Sequence, residues 1–573
     1  MGAPRFSVTV LLLVLCAGCA GFRPVAPARQ QAFAGETMEI ALAEPPPEDD
    51  ALRWSPGDGS EPVEGRVLRH AWQVPGQYTV TVEGSGGADR FEVEVAPRPV
   101  LRAIPASVRF ALVLPDGWSR LERFTSFARR FFPAEQVTET LDRVAQRLGA
   151  DPADPGQLVA QGIDPAEGLG IAVFDFDASA AWIAVGILDE GKAIELAQRL
   201  FDVREVEPIE TEAGQLFVGI LPEGEMRAFA LVDGYLLLRA SAEPGPIEET
   251  VGAFATSGAG LGASERFQQA RALAPGDDAI FFAQIQHDDG SWMPLAVGLA
   301  LADEAAEASF GVPLPPEQVE GLRGVVAQGE GGSAELGRYP EGAVGFLSLS
   351  LEPQAAFGQA VPNRLQRALL EGLVADRAGV PLGRLLDATT GRATAALYFD
   401  PAGFTELVAM LLQREGLGGA GADTHPPILA KVELQGAEAA RVVEQALAAA
   451  AQRAGGGWWQ RGPLFYRLEE GILQIATIRA RRELAPGQGT TDFGARLEAL
   501  GAPGEQALFL DVRAILEALR QSEARSAEAA VVRALLLEEA AFLEQVENVL
   551  LHGTVVPEGI RGVLHLSLEQ APR

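Results

Sequence analysis

Ala274–Phe282 reads APGDDAIFF, and about 230 residues later Ala502–Leu510 reads APGEQALFL. Each stretch turns at Pro-Gly and then enters an alternating apolar run, the pattern of a tight turn feeding a strand. Three further pairs surround this one in the same order. Pro105–Leu112 (PASVRFAL) matches Pro340–Leu347 (PEGAVGFL), and Trp182–Gly191 with its following helix matches Ile428–Gly436 with its own. Val319–Gln328 parallels Val546–Thr554. Four ordered matches at a period of about 235 residues predict an internal duplication, with repeats at 103–338 and 339–573.

Within each repeat the periodicity predicts α+β structure. Val108–Leu114 reads as a strand followed by helices over Ser119–Phe132 and Ala134–Leu148. Strands follow at Gly170–Phe176 and Trp182–Leu188, then a helix over Lys192–Leu200. A meander then runs through Gln215–Ile220, Arg227–Val232 and Tyr235–Ala240. Asp233-Gly234 and Glu470-Gly471 are hairpin turns, since both positions tolerate positive φ. Near the C-terminus, helices are expected over Asp511–Gln521 and Ser526–Leu551, before a last strand at Arg561–Leu568. Strand, strand, helix and meander, twice, predict antiparallel sheets with helices packed on one face. This order is similar to that of uncharacterised duplicated bacterial envelope proteins, a resemblance that carries no functional residue.

The only two cysteines, Cys16 and Cys19, close the apolar run Val8–Leu15 behind Arg5. That run is too short to cross a bilayer as a helix, which needs ~20 residues, and has the layout of a secretory signal. Leu15-Cys16-Ala17-Gly18-Cys19 resembles a bacterial lipoprotein signal, with Cys16 standing where that family usually has Leu. The resemblance implies a signal peptide at 1–18, lipidation of Cys19 and attachment to a membrane through the N-terminal lipid. Ala20 is not the aspartate associated with inner-membrane retention, so the outer membrane is the expected address. Residues 19–31 read as a tether.

From Ala32 to Val95 the pattern changes to short strands and turns. Thr37–Leu42, Tyr78–Val82 and Arg90–Val95 alternate, and Gly57-Asp58-Gly59 marks a turn. A small β-sandwich over 32–97 is expected. Trp54-Ser55-Pro56-Gly57-Asp58-Gly59-Ser60, then His70-Ala71-Trp72, then Pro75-Gly76-Gln77-Tyr78-Thr79-Val80-Thr81-Val82 resemble the motifs of the polycystic-kidney-disease (PKD) domain, an Ig-like fold. Ser55-Pro56 replaces that family's usual Asp-Phe. The resemblance implies a spacer or adhesion module without catalysis. Asp58 reads as a cap for neighbouring backbone N–H groups, with calcium ligation alongside Asp49 or Asp50 as the alternative.

A formal charge of −32 argues against nucleic acid as a partner, because phosphate binding needs clustered cations. No helical His pair, G-x-S-x-G elbow or phosphate loop is present, and thiolate metal sites are excluded by the cysteine count. No cofactor is expected. The carboxylates Asp175 and Asp177 share one strand face, with Asp400 as their counterpart, and read either as solvated positions or as an acid/base group. Trp458 and Trp459, behind Gly455-Gly456-Gly457, face opposite ways on a strand. One belongs to the core and the other is a candidate contact for a protein or carbohydrate. The functional expectation is a non-catalytic envelope lipoprotein with a binding or structural role. The alternatives are a secreted hydrolase using cleft carboxylates and a carrier of lipids or proteins.

Overall fold

The computed structural model describes residues 29–569 except 34–37, 43–51, 73–75, 85–86, 97–98, 175–180, 204–205, 212–213, 221–225, 233, 240–250, 255–259, 287–289, 327–333, 403, 406–426, 478–488, 501–505 and 524–525. The chain divides into two compact units, Met1–Glu122 with Thr140–Leu299 and Arg123–Glu139 with Ala300–Arg573. Antiparallel sheet dominates both. Among the described residues no helix is long and apolar enough to cross a membrane.

The first unit opens with β1 (Arg29–Phe33), β2 (Met38–Ala41), β3 (Arg53–Ser55), β4 (Val63–Glu64), β5 (Val67–His70), β6 (Gly76–Gly84) and β7 (Gly87–Ala96). Five form a sheet in the order β1-β7-β6-β3-β4, and β2 pairs with β5. Alternation along β6 and β7 turns Val80, Val82, Val93 and Val95 inward onto Trp54 and Trp72. Both indoles are fully buried, so their N–H groups need partners. Trp54 Nε1 donates to Gly65 O at 2.7 Å and Trp72 Nε1 to Pro56 O at 3.1 Å.

The remainder of the first unit is built on β8 (Phe110–Leu114), β9 (Leu169–Val173), β10 (Ala181–Gly186), β11 (Glu207–Thr211), β12 (Gly214–Ile220), β13 (Met226–Val232), β14 (Tyr235–Arg239), β15 (Ala279–Gln286) and β16 (Trp292–Leu301). They pair antiparallel in the order β11-β12-β13-β14-β10-β9-β8-β15-β16. The APGDD stretch is the turn into β15. Buried Arg271 donates to the carbonyls of Ala274 and Gly276 and pairs with Asp277 at 2.9 Å. Asp278, 3% exposed, takes Arg120 at 2.6 Å. Gly276 has φ +124°, and a Cβ there would stand 2.7 Å from the backbone of Gly298. Only glycine allows this turn to lie so close to β16.

The second unit holds β17 (Ala305–Pro313), β18 (Arg338–Pro340), β19 (Ala343–Ser350), β20 (Thr389–Tyr398), β21 (Ile428–Leu434), β22 (Gln452–Gly455), β23 (Trp458–Arg461), β24 (Leu464–Glu469), β25 (Ile472–Thr477), β26 (Thr490–Asp492), β27 (Ala507–Asp511), β28 (Val546–Val556) and β29 (Gly559–Leu568). Eleven of these pair antiparallel as β22-β23-β24-β25-β21-β20-β19-β27-β28-β29-β17. β18 and β26 form a separate short ladder. Glu470 (φ 48°) and Gly471 (φ 79°) make the expected hairpin turn between β24 and β25. The helix Leu121–Phe131 sends Phe127 and Phe131 onto Val512, Leu516, Val546 and Leu568 of this unit.

Two expectations are corrected. Helices pack on both faces of the sheets rather than on one. In the first unit Trp182 and Ala184 of β10 meet the helices Pro99–Ala103 and Glu265–Leu273, while Val185 on the other side meets Glu190–Phe201. Strands apolar on both faces need cover on both, and β10 is such a strand. The helix expected over Ser526–Leu551 ends at Glu539, and Val546–Val556 is strand β28. Pairing with β27 and β29 on its two sides overrides the local helical pattern.

Candidate functional site

The sequence-predicted residues separate widely in what can be said of them. Cys19, Asp175 and Asp177 lie outside the described residues. Asp400 follows β20, half-buried, and its backbone carbonyl accepts from Phe404 N at 2.9 Å. Asp58 accepts Ser60 N at 3.1 Å and Ser60 Oγ at 2.6 Å through Oδ1, and meets His70 Nε2 at 2.7 Å through Oδ2. Burial pushes its pKa upward, but the bonds from His70 and Ser60 outweigh it and hold the group down at about 2. Asp58 therefore caps its turn. Among the described residues no three His, Cys, Asp or Glu side chains are grouped to hold a metal.

Trp458 and Trp459 divide as strand geometry requires. Trp458 is 6% exposed, joins the core with Phe465 and Ala476, and lies under the Arg467 guanidinium at 4.9 Å. Trp459 is half-buried on the other face, with Arg453 4.7 Å from its ring centroid.

Following the hydrogen-bonded register outward from Trp459 uncovers the site. Trp459 stands opposite Tyr466, Tyr466 opposite Ile475, and Ile475 opposite Ala430. The same line continues through Ala395, Leu347, Leu508 and Leu551 to Leu564 and Ala308. It crosses every strand from β23 to β17 on one face of the sheet. The row on one side holds Ile428, Leu397, Gly345, Leu510, Val549 and Leu566, and the row on the other holds Leu473, Val432, Ala393 and Leu349. From β25 to β29 none of these positions carries a charge.

This face is only partly covered. The helix Gly436–Ala450 packs at one flank on Leu434, Leu468 and Leu473, and the helix Val512–Gln521 packs near Val549. Between those flanks Leu347 is 36% exposed, Leu508 37% and Leu551 37%. The opposite face is sealed: Phe346, Phe509, Leu550, Ala396 and Leu429 are at most 3% exposed beneath Phe493, Leu497 and Tyr339.

The usual polarity of an antiparallel sheet is thus inverted. Polar side chains sit on the sealed side, and two of them are held by named partners. Thr394 Oγ1 donates to Leu336 O at 2.7 Å and meets Tyr339 Oη at 2.6 Å. Lys431 Nζ donates to Glu335 O at 2.6 Å and to Arg338 O, 4.7 Å from the Tyr339 centroid. Burial lowers the Lys431 pKa, partly offset by Glu335 and Glu469. The open side offers hydrocarbon alone across its centre. Contiguous exposed apolar patches are uncommon on monomeric proteins. Full burial of one leucine is worth ~1.5–3 kcal/mol, so covering three half-open leucines and their neighbours yields several kcal/mol before association costs.

No protein-family model matches the chain, and no curated protein matches it.

Proposed function

We propose that this chain is a non-catalytic envelope lipoprotein that binds an apolar ligand on the open sheet face of its second unit. The carrier reading is favoured over a purely structural one by a single observation: the unbroken apolar line from Trp459 to Leu564, with Leu347, Leu508 and Leu551 more than a third exposed at its centre. Anchorage through Cys19 at the outer membrane would hold that face in the envelope. The strands over 29–96 serve as a PKD-like spacer, supported by Trp54, Trp72 and Tyr78 sharing one core and by the Asp58–His70 pair that ties the first two motifs together.

The body arises, on this reading, by duplication. Support comes from the two successions of pairings, β11-β12-β13-β14-β10-β9-β8-β15-β16 and β22-β23-β24-β25-β21-β20-β19-β27-β28, which align position for position.

Two measurements test the proposal. Cys19→Ser should abolish incorporation of radiolabelled palmitate and release the chain from membranes; unchanged labelling sinks the anchor. A hydrophobic fluorophore should bind the intact protein and lose most of its affinity for Leu508→Glu. Equal binding by the two would remove the open face as the ligand surface.

A further inference from the structure

The apolar line is not symmetric. At the β22–β23 end it finishes in Arg453 and Arg461, both exposed, on the same face as Trp459. Arg453 lies over the Trp459 ring, and Arg461 is two residues further along β23. Neither forms an ion pair among the described residues, although the chain carries 78 acidic against 46 basic side chains. Two guanidinium groups left without carboxylates in so acidic a protein make a local cationic end on an otherwise uncharged strip.

We infer that the open face takes a lipid monomer with an anionic headgroup, its acyl chain laid along the line toward Leu551 and its headgroup held by Arg453 and Arg461 beside Trp459. The inference rests on the proposed ligand surface and names its occupant. Length permits it. Seven strand spacings of ~4.8 Å separate Trp459 from Leu551, about 34 Å, whereas one leaflet's chain fills about half of a ~30 Å hydrocarbon core.

Chemistry favours it over a protein partner. Protein interfaces carry about one hydrogen bond per 100–200 Å², whereas the three central rows present hydrocarbon with Tyr466 and Thr477 as their hydroxyl-bearing side chains. Guanidinium groups form bidentate, charge-assisted hydrogen bonds with phosphate, and the indole suits a boundary that is apolar on one side and wet on the other.

The test uses the full chain and two probes with the same chain, palmitoyl lysophosphatidylglycerol and palmitoyl lysophosphatidylcholine, below their micelle-forming concentrations. Calorimetry should show the anionic lipid bound at least tenfold more tightly. Arg453→Glu with Arg461→Glu should erase that preference, weakening the anionic lipid at least tenfold more than the zwitterionic one, whose phosphate is offset by its own ammonium. Both arginines are exposed, so thermal unfolding of the double variant should match the parent. Equal affinities in the parent, or a preference that survives the double variant, would overturn the headgroup assignment. In that event Ala430→Glu, three spacings or about 14 Å from Trp459, still reads the stretch that the chain covers: loss of both lipids keeps the surface and discards only the anionic head. Binding of neither lipid to the parent overturns both.

Discussion

Leu508 and Leu551 stand directly opposite each other on β27 and β28, and each is 37% exposed. Their immediate neighbours Phe509 and Leu550 are paired the same way on the other side and are sealed. One residue of register thus separates a packed core from an open apolar surface. A shift by one would bury the open set and expose the sealed one, so the register is fixed by what covers each face.

That contrast gives the first prediction. Phe509→Ala removes a ring packed against Phe493 and should cost ~3–5 kcal/mol in urea unfolding. Leu508→Ala, one residue away, should change stability by about 1 kcal/mol or less, because the side chain already meets water. Equal costs would mean that the face described as open is packed in solution.

The adjacent tryptophans divide in the same manner. Trp458→Ala should cost ~3–5 kcal/mol, since the side chain is 6% exposed within the core. Trp459→Ala should leave unfolding nearly unchanged while weakening capture of an apolar fluorophore. A large stability loss at Trp459 would assign that ring to packing rather than to the ligand surface.

Asp278 carries a third. Its carboxylate is 3% exposed and holds Arg120 at 2.6 Å, and Arg120 also reaches Asp116 at 2.9 Å. Asp278→Ala leaves a partly buried guanidinium with one partner fewer and should destabilise the first unit by ~3–5 kcal/mol. Asp277→Ala takes the carboxylate from Arg271, itself 2% exposed, whereas Arg120 keeps Asp116, so it should cost more. Calorimetric unfolding of both variants checks the order, and a reversed order would refute it.

Much of this architecture was legible because it is local. The hairpin at Glu470-Gly471, the alternation of β6 and β7 and the opposite facing of Trp458 and Trp459 follow from φ preferences and a period of two. The strand at Val546–Val556 was not, since its pairing partners β27 and β29 are set by tertiary contacts that Ser526–Leu551 does not encode. The open face was missed for another reason. Ala393, Ala395 and Leu397 read as ordinary strand positions, and only the register that aligns them with Leu347 and Leu508 turns scattered residues into a continuous line. The usable signal was the wholly apolar side of those strands, opposite Ser348, Thr394 and Lys431, which strand polarity assigns to the core although the structure leaves it open.

The pH dependence of the strands over 29–96 follows from Asp58. Its pKa in the folded chain lies at about 2, below the ordinary 3.8, because the bonds from His70 and Ser60 outweigh the upward push of burial. A depressed folded pKa means that the unfolded state binds the proton more readily. The stabilisation is therefore present above about pH 4 and is lost as pH falls toward 2. The carboxylate is not deeply buried, so solvent screening keeps the effect small. Asp58→Asn cannot take up that proton, and its calorimetric transition should change less than the parent's between pH 4 and pH 2. It should also lie lower at pH 6, because the charged bond to His70 is gone. Parallel shifts of the two proteins across that interval would show that other carboxylates govern the acid limb and that the Asp58–His70 pair does not tie the two motifs energetically.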